Sequence, residues 1–182
     1  MRAFIAIALP EGIKAKITEL IKEIKNDALE AKFVKPEQAH ITVKFLGDVP
    51  ESQINEIKNS LMRFLSTKDC FELNLVGMGH FNKKVLWIGS ENENIFSNFA
   101  KELDEELSKI GISKERKPFR LHLTLARIKK IKNPTKFYEI LTKYKKENFG
   151  KIFVSELVLI KSDLKRDGPI YTELAKFHLK CT

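Results

Sequence analysis

Two stretches of the sequence decide the fold: Gln38–Gly47, which reads QAHITVKFLG, and Arg120–Arg127, which reads RLHLTLAR. In each stretch a histidine is followed two residues later by a threonine, and aliphatic residues occupy the alternate positions. Because side chains alternate between the two faces of a β-strand, the histidine and the threonine share one face and the aliphatic residues share the other. The sequence therefore predicts two similar strands, each with one polar and one apolar face.

The repeated motif consists of His40 and Thr42 in the first stretch and of His122 and Thr124 in the second. A single pair of this kind on a strand is commonly a buried or edge histidine with an ordinary hydrogen bond. Two copies, which use two of only four histidines, are harder to explain by packing alone. We interpret the copies as the two halves of one site.

Two imidazoles on facing strands suit a displacement reaction at phosphorus. The attacking and the departing oxygen lie on opposite sides of the phosphorus, so one group must remove a proton and another must supply one. Histidine can do either near neutral pH, since its ordinary pKa is about 6.5. The threonine hydroxyls on the same faces would donate hydrogen bonds to the non-bridging oxygens. This scheme requires no metal and no other cofactor.

With these motifs the sequence resembles the two-histidine phosphoesterase superfamily, and in particular its RNA 2′,3′-cyclic phosphodiesterase branch, also called the 2′-5′ RNA ligase family. The resemblance covers nearly the whole chain. It includes the segments Arg2–Pro10, Phe45–Gly47, Val85–Gly89, Lys117–Arg120, Ala126–Arg127 and Gly168–Tyr171. One departure is Leu121, where many relatives carry a proline before the second histidine.

The resemblance implies a metal-independent enzyme that opens RNA 2′,3′-cyclic phosphate ends to 2′-phosphates, with His40 and His122 as the catalytic residues. Run in reverse, the same site would join RNA ends through a 2′-5′ linkage without ATP. The expected partner is RNA with a cyclic phosphate end, and tRNA fragments are one candidate. Two alternatives remain open: a phosphodiesterase for small cyclic phosphates such as ADP-ribose cyclic phosphate, and a non-catalytic RNA-binding module. The near symmetry of the motifs does not decide which histidine is the acid.

The phosphate is expected to contact the two motif threonines and one arginine. Strand alternation puts Arg120 on the face of His122 and Thr124, and it puts Arg127 on the opposite face. We therefore favour Arg120. Arg127 matches the family motif and is the second candidate, because a bulge in the strand would turn its side chain to the other face. By the same rule Lys44 falls on the polar face of the first motif strand, where it is either an RNA contact or a solvated lysine.

Other residues near the motifs have an ordinary structural interpretation beside a functional one. Phe45, Phe119 and Tyr171 are candidates for stacking on a base or ribose, although aromatic residues beside strands are more often core. His80 is expected in a surface loop. Cys70 and Cys181 fit no metal or redox spacing and are expected to be free thiols. No zinc-ligand spacing and no glycine-rich phosphate loop occurs either.

Length and composition indicate a soluble globular protein, since 182 residues with 43% hydrophobic and 31% charged residues can form a sizeable core. No apolar run is long enough to span a bilayer, and the start lacks the features of a signal peptide, so we expect a cytoplasmic monomer. The net charge of +9 favours a polyanionic partner, although abundant lysine and glutamate also occur on thermophile surfaces. Basic clusters at 114–120, 129–132 and 143–146 flank or follow the second motif and favour RNA.

The periodicity of apolar residues predicts an α+β protein with largely antiparallel sheets. Strands are expected at 3–9, 33–34, 38–47, 71–76, 84–89, at the second motif, at 152–160 and at 170–179, and helices at 11–28, 50–67, 94–110 and 134–145. Strand, helix and motif strand recur in this order in both halves, which predicts two pseudo-symmetric lobes of curved sheet with helices outside and a central cleft between them. We expect residues 1–182 to form a single two-lobed phosphoesterase domain.

Overall fold

The computed structural model describes all residues from Met1 to Thr182, which form nine strands and four α-helices. In chain order the elements are β1 (Arg2–Ala8), α1 (Glu11–Ile24), β2 (Leu29–Phe33), β3 (His40–Asp48), α2 (Ile54–Leu65), β4 (Phe71–Phe81), β5 (Val85–Ser90), α3 (Glu93–Ser108), β6 (Leu123–Ile131), α4 (Pro134–Lys143), β7 (Asn148–Val154), β8 (Glu156–Lys165) and β9 (Gly168–His178). None of the helices is long and apolar enough to cross a membrane.

The strands form two antiparallel sheets, one for each motif. The first has the order β3-β1-β8-β9 and carries His40, and the second has the order β2-β6-β5-β4-β7 and includes the strand that follows His122. In both sheets the motif strand pairs with the strand that begins its half of the chain, β1 for β3 and β5 for β6. The predicted α+β class with antiparallel sheets in two lobes is confirmed.

The two halves of the chain exchange strands. β2 and β4 come from the first half of the sequence but belong to the second sheet, whereas β8 and β9 come from the second half and complete the first sheet. A continuous core of 42 buried residues includes side chains from both sheets. Neither half of the sequence can therefore complete its sheet or its core without the other.

Three strand predictions differ from the structure. The strand predicted at 33–34 is β2, which spans Leu29–Phe33, and the helix predicted for 11–28 ends earlier, at Ile24. The apolar segment 152–160, predicted as one strand, is divided at Ser155 into the end of β7 and the start of β8, which lie in different sheets. The hairpin of β4 and β5 is tighter than expected, because β4 continues to Phe81 and only Asn82–Lys84 form the turn. Asn82 and Lys83 adopt positive φ angles of 50° and 56° there. His80 consequently lies in β4 and not in a loop, opposite Leu86.

Cys70 and Cys181 form a disulfide with a Cα–Cα distance of 5.1 Å, so the prediction of free thiols is wrong. A parallel bridge between Asp69 and Lys180 brings the end of the chain beside the start of β4. The pairing was hidden because 111 residues separate the two cysteines and it depends on the path of the whole chain.

Candidate active site

The two motifs meet at one cleft of about 750 Å³, which is lined by residues from both sheets. Its wall includes five of the six candidate site residues, namely His40, Thr42, His122, Thr124 and Arg127. The sixth, Arg120, does not line this cleft. Two strands distant in sequence thus present their polar faces to a common space, as strand alternation predicted for the histidines and threonines.

Each motif histidine makes the same hydrogen bond to the backbone two residues before it. Nδ1 of His40 lies 2.8 Å from the carbonyl oxygen of Gln38, and Nδ1 of His122 lies 3.0 Å from that of Arg120. Because a carbonyl oxygen only accepts, Nδ1 carries the hydrogen in both rings. In the neutral tautomer Nε2 is then a free lone pair on each ring, and in the protonated form it is an N–H donor.

His40 is enclosed by two aromatic rings. The Phe4 ring stacks on the imidazole at a centroid distance of 4.8 Å and an angle of 26°, and the Tyr171 ring meets it edge-on at 5.3 Å. This burial lowers the pKa of His40, because a charged imidazole loses solvation there. The Gln38 carbonyl partly offsets the effect, and the charge that His122 carries when it is protonated adds to the lowering of the His40 pKa.

His122 is in a more open position. Its side chain makes an edge-on contact with the Phe81 ring at 5.1 Å, and no second aromatic ring covers it. The Phe81 ring also lies 6.0 Å from the guanidinium carbon of Arg120. The two imidazoles therefore differ in their surroundings although their backbone hydrogen bonds are alike.

Both motif strands contain an irregularity at the residue after the threonine. In β3, Thr42 pairs with Ala6 and Lys44 with Ile5, so Val43 has no partner of its own. In β6, Thr124 pairs with Trp87 and Ala126 with Leu86, which leaves out Leu125 in the same way. An extra residue in one strand reverses the alternation of side chains beyond it.

The bulges change which side chains reach the cleft. Arg127 lines the cleft because the bulge turns it onto the face of His122, and its charge acts on the phenol of Tyr171. Burial raises the pKa of Tyr171, and the nearby Arg127 only partly opposes this. At the equivalent position of the first motif strand, Phe45 lies at the cleft with 60% of its surface exposed.

Lys44 is turned away from the cleft, so its expected place on the polar face is wrong. It is 3% exposed, and its Nζ lies 2.7 Å from Oδ1 of Asp104 and donates to the carbonyl oxygen of Ser113 at 2.7 Å. Asp104, on α3, also accepts a hydrogen bond from the backbone N–H of Glu115 at 3.1 Å. This buried ion pair fixes β3, α3 and the segment leading to the second motif to one another.

Arg120 lies beside a smaller pocket of about 220 Å³. Its Nε is 3.9 Å from Oε1 of Glu93. The preference for Arg120 over Arg127 rested on regular alternation before and after His122, but β6 begins only at Leu123 and is bulged. The geometry reverses that preference.

The cleft carries a strong excess of positive charge. Its basic residues are Arg2, Lys32, Lys35, Arg127 and Lys165, whereas Asp167 is its only acidic one. None of the three basic clusters singled out in the sequence contributes a residue to it. Cationic side chains around a concave site attract phosphate groups. No group of three or more His, Cys, Asp or Glu side chains is arranged to hold a metal ion.

Several cleft residues had no signal in the sequence. Phe4 belongs to an apolar strand whose pattern indicates only core, and Phe81 sits at the end of β4. The hairpin of β8 and β9 forms one wall. Besides the pairing of β8 with β1, Gln38 Nε2 holds it by donating to the carbonyl oxygen of Pro169 at 3.0 Å. Tyr171 was a candidate, but its contact with His40 depends on the pairing of β1 with β8. Phe119 lies partly buried against the core, outside the cleft.

Comparison with known proteins agrees with this arrangement. The sequence model of the LigT-like phosphoesterases matches the chain twice, over residues 7–87 and 88–171, so that each match contains one motif. The chain is 36% identical to the RNA 2′,3′-cyclic phosphodiesterase of Methanothermobacter thermautotrophicus, over 98% of this chain and 99% of that one. It is 39% identical to the protein of the same name from Methanocaldococcus jannaschii, over 94% and 96% of the two chains.

Solved structures share the fold. A crystal structure of a Thermus thermophilus protein superposes with a TM-score of 0.82 at 30% identity and covers 98% of both chains. Escherichia coli LigT, crystallised with 3′-AMP, gives a TM-score of 0.79 at 24% identity, over 98% of this chain and 97% of that one. At the lower identity the likeness concerns the fold alone.

Proposed function

The chain belongs to the LigT-like phosphoesterases, within the two-histidine phosphoesterase superfamily, and we propose that it is an RNA 2′,3′-cyclic phosphodiesterase that works without a metal ion and produces 2′-phosphate ends. The observation that carries the proposal is the cleft itself. Two histidines, each with Nδ1 engaged by a backbone carbonyl and Nε2 free, line one cationic cavity together with two threonines and an arginine. The names of the full-length relatives support RNA cyclic phosphates as the substrate class.

The proposed reaction is an in-line displacement at phosphorus. His122 in its neutral form takes a proton from water, whose oxygen forms a bond to phosphorus. The bond between phosphorus and O3′ breaks, and protonated His40 delivers a proton to O3′. Thr42 and Thr124 donate hydrogen bonds to the non-bridging oxygens, and Arg127 offsets their developing charge.

The surroundings of His40 set its strength as an acid. Burial lowers the pKa of His40, which makes the protonated ring a stronger proton donor to a poor leaving group. An anionic phosphate bound beside the ring favours the charged form and so restores the proton when substrate is present.

The acid and the base are distinguished by a substrate whose leaving group needs no proton. A 3′-deoxynucleoside 2′-(p-nitrophenyl phosphate) releases p-nitrophenolate, which departs unprotonated. We expect His40→Ala to retain most of its turnover with this ester and His122→Ala to lose it. If His122→Ala keeps its turnover with this ester and His40→Ala loses it, His40 is the base and His122 is the acid.

With a different nucleophile the same site would join RNA. A 5′-hydroxyl in place of water would attack the cyclic phosphate, and the product would be a 2′-5′ linkage with a free 3′-hydroxyl. No ATP is consumed, because the cyclic phosphate is already activated. Ends of cleaved tRNA are one proposed source of substrate, and the monomeric state and the cytoplasmic location remain predictions.

Product analysis tests the proposed function. A short RNA with a 2′,3′-cyclic phosphate end is incubated with the protein in excess EDTA, and the products are separated by chromatography. We expect only the 2′-monophosphate, at a rate unaffected by the chelator. A 3′-monophosphate product, or loss of turnover that added metal restores, would refute the proposed chemistry.

A further inference from the structure

A second pocket adjoins the cleft on the side of His122. Its volume is about 220 Å³, which suits a single base or sugar and not a length of strand. Phe81 lines both the pocket and the cleft, and the pocket wall continues along Arg120 and Leu121, the two residues before His122. The pocket and the second imidazole therefore share Phe81 as a neighbour.

Two glycines and one indole ring form part of the inner surface of the pocket, beside Val76 and Met78. Gly77 and Gly89 line it together with Trp87. A Cβ atom at Gly79 would lie 2.4 Å from the Trp87 ring, and one at Gly89 would lie 3.1 Å from it. Glycine at these two positions allows the indole to lie close against β4 and β5. Phe81 packs at 5.3 Å from the same ring, so the pocket presents two neighbouring aromatic side chains.

The rim of the pocket is polar and can contact phosphate. Arg120 and Lys145 line it together with Glu93. The side chain of Arg120 is 63% exposed, with its Nε 3.9 Å from Glu93 and its guanidinium 6.0 Å from the Phe81 ring. The indole N–H of Trp87 is shielded from solvent and has no hydrogen-bond partner in the protein. Aromatic rings beside cationic groups form the usual combination for binding single-stranded RNA, because bases stack and phosphates pair with the charges.

We propose that this pocket binds the terminal nucleoside of the 5′-hydroxyl RNA strand that accepts the cyclic phosphate in 2′-5′ ligation, an inference that rests on the function proposed above. In that mechanism the attacking oxygen lies beside His122. The 5′ oxygen of the acceptor forms the new bond to phosphorus and gives its proton to His122, while the bond to O3′ breaks and His40 protonates O3′. The base of the acceptor stacks on Phe81 and Trp87, and its first phosphate lies at the basic rim.

The pocket has a built-in reporter, because Trp87 is the only tryptophan of the chain. A short oligoribonucleotide with a 5′-hydroxyl and an ordinary 3′-hydroxyl is titrated into the protein while tryptophan fluorescence is recorded. The titration is repeated with a nucleoside 2′-monophosphate, the proposed product, saturating the cleft. We expect saturable quenching in both titrations. No quenching, or quenching that disappears when the cleft is filled, would overturn the acceptor pocket.

A pair of adjacent lysines provides a matched test by kinetics. Lys145 lines the pocket, and Lys146 is exposed beside it but lines neither the pocket nor the cleft. Lys145→Glu should lower the ratio of ligation to hydrolysis by about five-fold or more, since it places a negative charge where the acceptor phosphate binds. Lys146→Glu should leave the ratio unchanged. Equal effects of the two variants would overturn the proposal.

The phosphodiesterase activity and the acceptor pocket can fail separately. A wild-type protein that does not open cyclic phosphates would overturn the proposed function, and the fluorescence titration would still decide whether RNA occupies the pocket. Normal hydrolysis with an unresponsive Trp87 would overturn the acceptor pocket alone.

Discussion

The two motif strands have the same backbone arrangement but different neighbours. Each presents a histidine whose Nδ1 binds the carbonyl two residues earlier, then a threonine on the same face, then a bulge. The first imidazole is buried between Phe4 and Tyr171, whereas the second meets only the edge of Phe81. A repeated scaffold thus provides the symmetry that in-line displacement needs, and the neighbouring side chains make its two sides chemically unlike.

The residues that follow the two bulges also differ between the motif strands. Arg127 of β6 and Phe45 of β3 occupy equivalent positions at the cleft, one a cation and the other an exposed apolar ring. One position earlier, Lys44 forms a buried ion pair where β6 has the small Ala126. The second motif strand therefore presents a charge to the cleft, whereas the first presents an apolar surface and is attached to α3 through Lys44.

The largest expected effect is the loss of either imidazole. His40→Ala or His122→Ala should lower the turnover of cyclic-phosphate RNA by about two to four orders of magnitude, because each removes a proton-transfer group. The control is His178→Ala, since His178 is exposed and lies outside the cleft. Wild-type turnover in either cleft variant would contradict the two-sided mechanism.

The buried ion pair of Lys44 and Asp104 should control stability. Lys44→Ala leaves the Asp104 carboxylate buried without its partner and should cost about 3–5 kcal/mol in the free energy of unfolding. The double replacement Lys44→Met with Asp104→Leu should recover most of the loss. Denaturant titration measures both, and a negligible effect of the single variant would show that the pair does not hold β3 against α3.

Because Arg127 lines the cleft and Arg120 does not, replacing these two arginines should weaken substrate binding unequally. Arg127→Ala should weaken binding of a nucleoside cyclic phosphate by about 10- to 100-fold, as expected for the loss of about 1.5–3 kcal/mol from a charged hydrogen bond. Arg120→Ala should have a clearly smaller effect on this small substrate, because Arg120 lies outside the cleft. The KM values of the two variants test the contrast, and a larger effect at Arg120 would restore the expectation from strand alternation.

The smallest expected effect is a shift in the pKa of His40. The pKa of His40 should lie below the ordinary value of about 6.5, chiefly because of burial. His122→Ala removes a neighbouring positive charge and should raise the pKa of His40, and so should binding of inorganic phosphate. An NMR titration of the imidazole resonances measures these shifts. A pKa of His40 that falls in the variant would contradict the assigned coupling.

Regular strand alternation predicted the correct face for the histidine and threonine of each motif. It predicted the wrong face for the residues after the bulge, which follows the threonine directly. Val43 and Leu125, the bulged residues, are ordinary β-formers, and neither glycine nor proline marks the irregularity. The positions of Lys44 and Arg127 were consequently assigned to the wrong faces. A bulge depends on how the neighbouring strand pairs, and local sequence does not contain that information.

Other errors have a similar origin in long-range structure. The segment around Ser155 is apolar on both sides, because both β7 and β8 contribute to the core, so a single strand was the natural interpretation. The pairing of Cys70 with Cys181 depends on the path of the last strand. The helices and most strands were predictable because their hydrophobic periodicity is local.

In the proposed mechanism the two histidines act in one step on opposite sides of one phosphorus. Single-turnover opening of a cyclic-phosphate RNA in EDTA should be measured for the wild type, His40→Ala, His122→Ala and the double variant. If the imidazoles act as a unit, the double variant should be about as slow as the slower single variant. Losses that multiply fully in the double variant, or a double variant that turns over like the wild type, would contradict the claim.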